Sequence, residues 1–179
     1  MITLVPVGEL DPTILKALSI RLETVFGQPL QITACIGLPE GAWDPQRQQY
    51  LSARILARLP KSVGKDRVLG MADVDLYAED YDYVFGEAEV SGGRRAIISV
   101  QRLWEQYYGR RRNKKLFEER MVKEAVHELG HTWGLGHCDN LRCVMRFSIS
   151  VEETDLKLVE FCAKCWKRLE SKITPRNGE

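Results

Sequence analysis

A mixed α/β domain with a mostly parallel sheet is what the sequence predicts, and three observations lead there. Short β-branched runs alternate with segments of helical periodicity along much of the chain. Two Asp-Pro pairs, Asp11-Pro12 and Asp44-Pro45, place a capping carboxylate before a proline, a common helix start. The stretch 82–101 has the alternation and the central glycines of a hairpin. The resulting order, β-α-β-α-β-β-β-α-α, fits helices packed on a mostly parallel, twisted sheet with one antiparallel strand near an edge.

Residues 2–7 (ITLVPV) read as the first strand. Leu15, Leu18, Ile20, Leu22 and Val25 then suit a helix that ends at Gly27. Residues 29–37 read as a second strand, and a helix is expected from Asp44-Pro45 to about Leu59. The run 67–77 (RVLGMADVDLY) reads as one buried central strand. Residues 82–90 and 95–101 alternate and flank Ser91-Gly92-Gly93, the expected hairpin tip. A long helix follows from about Asn113 to Gly134. Ser150 and Glu153 form a capping box for a last helix over 151–171, and the tail 173–179 is expected to fray.

At 179 residues the chain suits one domain. With 44% hydrophobic and 28% charged residues, it can bury a core without disulfides. A formal net charge of +1 gives no reason to expect nucleic acid or a membrane surface as partner. No apolar run approaches the length of a membrane span. MITLVPVGEL reads as a strand and not as a secretory leader, so an intracellular, cytoplasmic setting with reduced thiols is expected.

All three histidines of the chain lie in HELGHTWGLGH, residues 127–137. Positions i and i+4 of a helix share a face, so His127 and His131 can offer two nitrogens to one metal. Glu128 sits off that line and can face a water on the metal. Gly134 can take the left-handed conformation that stops the helix, and the chain then returns His137 as a third ligand. Three neutral imidazoles leave a fourth position open, the pattern of a catalytic zinc, which brings the pKa of its water to about 7. The alternative is a set of ordinary histidines on a long helix, which the combined spacing disfavours.

Four of the five cysteines, Cys138, Cys143, Cys162 and Cys165, fall in a C-x4-C and a C-x2-C pair, close to a four-cysteine zinc template. Four thiolates make a closed, structural site. Two disulfides or an iron–sulfur cluster are the competing readings. Cys35 reads as a small buried hydrophobe. Clamping Cys138 and Cys143 to the last helix would fix the loop that carries His137.

HExxHxxGxxH with a later methionine resembles the metzincin zinc peptidases. The join of HELGHTWGLGHC, CVM and FCAKC narrows the resemblance to the archaemetzincins. The match is strong over 127–165, with weaker support from VFGEAEV and AIISVQRL upstream. It implies a metzincin-like domain over 1–179 with two zinc ions. Residues 1–134 would carry the active-site helix, and residues 135–172 the Met-turn and the cysteine site. His127, His131 and His137 would bind the catalytic zinc, Glu128 would be the general base, and Met145 would support the histidines from a turn. CVMRFSISV has no tyrosine to serve as a further ligand.

The resemblance also implies a peptide or protein substrate held in extended form along an edge strand, either 82–90 or 95–101. Seven acidic residues in 73–89 can bias the site towards basic peptides, although their side chains cannot be placed from sequence. The run RRRNKK, 110–115, reads as a solvated loop or face. The expectation is thus a monomeric zinc peptidase, exo- or endo-acting. The rival is a non-catalytic zinc protein that binds a peptide or nucleic acid through RRRNKK and the cysteine site.

Overall fold

The computed structural model describes residues 1–89 and 92–173. Strand β1 (Ile2–Val7) is buried throughout, as an all-apolar run requires when both faces of a strand are covered. Helix α1 (Pro12–Phe26) begins as expected, with Asp11 Oδ1 accepting from Thr13 N at 2.8 Å and proline in its first turn. Its buried residues Leu15, Leu18, Leu22 and Phe26 follow helical spacing, and Gly27 ends it.

Strand β2 (Leu30–Ile32) keeps only three residues of the expected 29–37 strand, with an isolated bridge from Val7 to Ile36 beyond it. The helix expected from Asp44 does not start there. Asp44 Oδ1 instead accepts from Gln46 N at 2.9 Å and Arg47 N at 3.1 Å, so its carboxylate makes a turn and not a cap. Strands β3 (Trp43–Asp44) and β4 (Gln49–Leu51) flank that turn, and helix α2 (Ser52–Arg58) begins only afterwards.

The expected single strand 67–77 is broken. Strand β5 (Arg67–Ala72) belongs to the main sheet, and β6 (Leu76–Tyr77) pairs with β4 in a small second sheet. The chain changes sheets where Arg102 grips Asp75 with two nitrogens, at 2.5 and 2.7 Å. Strands β7 (Gly86–Ala88) and β8 (Arg95–Ser99) form the antiparallel pair. Ser91 of the expected hairpin tip lies outside the described residues, as does 174–179 of the expected frayed tail.

The main sheet has the order β2-β1-β5-β8-β7 and is parallel except for the last pair. Strand β7 is therefore the edge, which decides between the two edge candidates. Two 3-10 turns (Gln101–Leu103 and Glu105–Tyr108) lead to helix α3 (Lys114–Thr132), capped by Asn113. One core, with Ile2, Leu4, Leu69, Met71 and Ile98, lies between the sheet and helices α1 and α3. A second core, with Val5, Val7, Val68 and Ile97, lies on the opposite face with residues of α2.

The helix expected over 151–171 is two helices, α4 (Val151–Leu156) and α5 (Ala163–Ile173). Ser150 does cap α4, accepting from Glu153 N at 3.3 Å. Residues 157–162 then turn aside. Leu158 N donates to Arg142 O and Val144 N to Glu160 O, which ties this segment to the loop before it. No helix is long and apolar enough to cross a membrane among the described residues.

Candidate metal centres

Helix α3 brings the histidine motif to the sheet. From Arg120 to Gly130 every residue of it is buried, although several are charged. His127 and His131 stand one turn apart, and their Nε2 atoms lie 3.0 Å from each other. Gly134, at φ 77°, ends the run as expected. Gly134 N donates to His131 O at 2.7 Å and Leu135 N to Gly130 O at 3.1 Å, a complete left-handed helix stop. The chain reverses and delivers His137, so the donor atoms of the three histidines all lie within 4.8 Å of one another.

The rings are oriented from behind. His127 Nδ1 sits 2.8 Å from Val144 O, and His131 Nδ1 sits 2.8 Å from Leu135 O. Each Nδ1–H donates to its carbonyl, so each Nε2 keeps its lone pair. Two lone pairs facing each other at 3.0 Å repel unless a cation lies between them. Two nitrogens bound tetrahedrally at 2.0–2.1 Å from one zinc stand roughly 3.3 Å apart, so the spacing fits that ion. Burial holds the pKa of His127 well below the ordinary imidazole value, with the Lys157 charge acting the same way. Burial also lowers His131 and His137. Neutral rings are what a metal site needs.

Glu128 is buried beside them, and burial raises its pKa well above the ordinary carboxyl value, with the Glu124 charge adding to the effect. A cation at the histidines opposes that rise. The side chain of Glu128 lies on the edge strand: a Cβ at Gly86 would fall 2.6 Å from Glu128 Cγ. A Cβ at Gly130 would collide with Met145 Sδ. Met145 is fully buried and fills the space that Gly130 leaves against α3. Sequence reading missed both glycines, because nothing local says that a side chain from elsewhere needs their missing carbon. It also missed Glu124 and Lys157, a buried ion pair at 3.1 Å behind the site.

The histidines and Glu128 line a cleft of about 1130 Å³, bounded by β7, by the loop before it and by 147–149. Phe85 O accepts from Ser99 N and Glu89 N donates to Arg95 O, so these two backbone groups face β8. The backbone groups of Gly86 and Ala88 therefore face the open side of the sheet. Of the seven acidic residues in 73–89, Glu79, Asp80, Asp82, Glu87 and Glu89 line the cleft, and no lysine or arginine does among the described residues. Asp73 and Asp75 lie elsewhere.

The cysteine cluster forms on the far side of His137. The sulfurs of Cys138, Cys143, Cys162 and Cys165 all lie within 4.8 Å of one another, and none is in a disulfide. Cys138 Sγ and Cys162 Sγ are 3.8 Å apart, about the separation of two thiolates at 2.3 Å from one tetrahedral zinc. Cys165 lies in the first turn of α5 and Cys162 does not. Cys162 precedes α5, and its carbonyl accepts from Trp166 N at 2.8 Å. A backbone hydrogen bond from Cys165 draws the Cys162 thiol down to about 7, while burial pushes Cys143 and Cys165 up. Cys35 is exposed, against the expectation of a buried residue.

RRRNKK has largely been used locally. Arg110 meets Glu152 at 2.7 Å, Arg112 lies over Trp104 at 4.8 Å, and Lys114 meets Glu118 at 3.6 Å.

Comparison with known proteins places the chain in a family. The model of peptidase family M54 matches residues 29–171. The archaemetzincin of Methanocaldococcus jannaschii is 44% identical over 93% of this chain and 91% of its own length. A crystal structure of the Archaeoglobus fulgidus archaemetzincin superposes with a TM-score of 0.83 at 37% identity, covering 94% of this chain and 99% of that one. A zinc-dependent peptidase from Methanocorpusculum labreanum gives 0.85 at 29% identity, covering 94% of this chain and 100% of that one. On these grounds the chain belongs to peptidase family M54, the archaemetzincins, and is a zinc metallopeptidase.

Proposed function

We propose that His127, His131 and His137 hold a zinc ion and that Glu128 is the general base for hydrolysis of peptide bonds laid along β7. The carrying observation is the pair of Nε2 atoms at 3.0 Å, each ring held by a carbonyl through its other nitrogen, in a cleft shared with Glu128. When bound, zinc supplies a Lewis acid that polarises the scissile carbonyl and brings the pKa of a water to about 7. Glu128 takes the proton of the attacking water and delivers it to the departing amine. Gly86 keeps its carboxylate in place by leaving room for it, and burial shields the transferred proton from bulk water.

The outward backbone groups of Gly86 and Ala88 suit an extended peptide that adds a strand. The carboxylates of the cleft walls set a field that favours cationic side chains. The four cysteines hold a second, structural zinc. Their free thiols suit a reducing, intracellular setting, here the cytoplasm. Residues 1–172 act as one catalytic domain of a monomer, with 1–134 supplying Glu128 and two ligands and 135–172 supplying the third. Since three of the five cations in RRRNKK are engaged, a peptide is favoured over nucleic acid as partner.

The test is digestion of a peptide library by the zinc-loaded chain, with Glu128→Ala as control. Cleavage that falls at least about 10²-fold in the variant is expected. Cleavage unchanged in the variant contradicts the assigned base.

A further inference from the structure

We infer that Lys157 is a positioning residue for the histidine centre, an inference that rests on reading that centre as a zinc site. The Lys157 side chain is 1% exposed. Its Nζ donates to Glu124 Oε1 at 3.1 Å and to Arg146 O at 3.3 Å. The same Glu124 oxygen accepts from Thr154 Oγ1 at 3.1 Å. One ammonium thus joins two pieces of the active site. Glu124 lies on α3, one turn before Glu128 and three residues before His127. Arg146 belongs to the turn that does three things for the metal site. Val144 O orients His127, Met145 fills the space at Gly130, and the Phe147 ring lies 4.8 Å from that of His137.

Holding α3 against α4 does not explain this pair. Arg120, one turn earlier on α3, grips Asp155 with two nitrogens at 2.7 Å each. Lys123 adds contacts to the carbonyls of Thr154 and Asp155 at 3.2 and 3.3 Å. Those bonds already dock the two helices. Neither residue reaches the turn at 144–147 in these contacts, and Lys157 does. A positive charge near three metal-binding imidazoles also works against a cation there, so its placement calls for a geometric benefit. Glu124 offsets that charge, and the remaining donor capacity goes to the Arg146 carbonyl.

Lys157→Met leaves Glu124 buried without its partner and can unfold the chain, so the decisive variant is the double Glu124→Gln/Lys157→Met, which removes both charges. Metal affinity of each centre is measured on the full chain by chelator competition. Cobalt loading tells the centres apart, because only the cysteine site gives sulfur-to-cobalt charge transfer. The inference predicts that the double variant binds metal at the histidines about 10- to 100-fold more weakly, with a clearly smaller loss at the cysteine site. An altered ligand-field spectrum at the histidine site is expected with it. Histidine-site affinity within about twofold of the parent overturns the inference, and so does an equal loss at both centres, which marks general loosening. A parent chain that binds metal only at the cysteines overturns the zinc reading itself, and this shows before any variant is made.

Discussion

His137 and Cys138 are neighbours in sequence, yet they face two centres of opposite design. The cysteine cluster offers four soft donors within 4.8 Å and needs nothing more to complete a tetrahedron. The histidine cluster offers three donors within the same distance, opens on a cleft and has a carboxylate beside it. One missing donor separates a clamp from a reactive centre. The two are also mechanically joined. Cys138 N donates to Met145 O at 2.9 Å, and Cys143 begins the turn whose next residue, Val144, orients His127. In the proposed reading, the closed centre would hold the frame from which the open one is hung.

The largest expected effect breaks the comparison on its reactive side. Glu128→Gln should lower kcat by about 10²–10⁴-fold while two metal ions per chain remain. Steady-state cleavage of a library-derived peptide, with metal analysis of the same sample, checks this. Retained cleavage would show that the carboxylate is not the base.

Next comes the link between the centres. Cys165→Ser should remove metal from the cysteine site and weaken zinc at the histidines about tenfold or more, read by chelator competition. Histidine zinc held as tightly as before would make the centres independent. A smaller effect is expected at Gly86→Ala. The new methyl meets Glu128 Cγ at 2.6 Å, so kcat should fall by about tenfold to 10²-fold with both metals kept. The same overpacking should cost about 1–3 kcal/mol in a urea melt. If kcat holds, the fit of Glu128 against β7 does not matter.

Smallest of all, Arg112→Ala loses a cation–π contact worth about 0.5–1 kcal/mol and should leave metal content and cleavage unchanged. The wild-type chain should also pass a nucleic-acid column at low salt. Salt-dependent retention abolished by Arg112→Ala would restore the binding reading.

Both clusters could be read in the sequence, because a metal site imposes its needs on residue type and spacing. His127 and His131 must be one turn apart, and Gly134 must reverse the chain for His137 to return. Helix starts with a local cause were also legible: Asp11 and Ser150 cap as expected. Asp44 carried the same signal and made a turn, since β3 and β4 pair across it. The break between α4 and α5 has no local mark. It follows from Lys157 turning inward to Glu124 and from residues 158–160 pairing with 142–144. Gly86 and Gly130 were illegible for the same reason: each makes room for a side chain distant in sequence.

The central claim is that this chain carries one closed and one open zinc centre, and metal counting by native mass spectrometry tests it most directly. The wild-type chain should bind two zinc ions, and a His131→Ala/His137→Ala variant should bind one. A single zinc in the wild type, or two in that variant, would contradict the account.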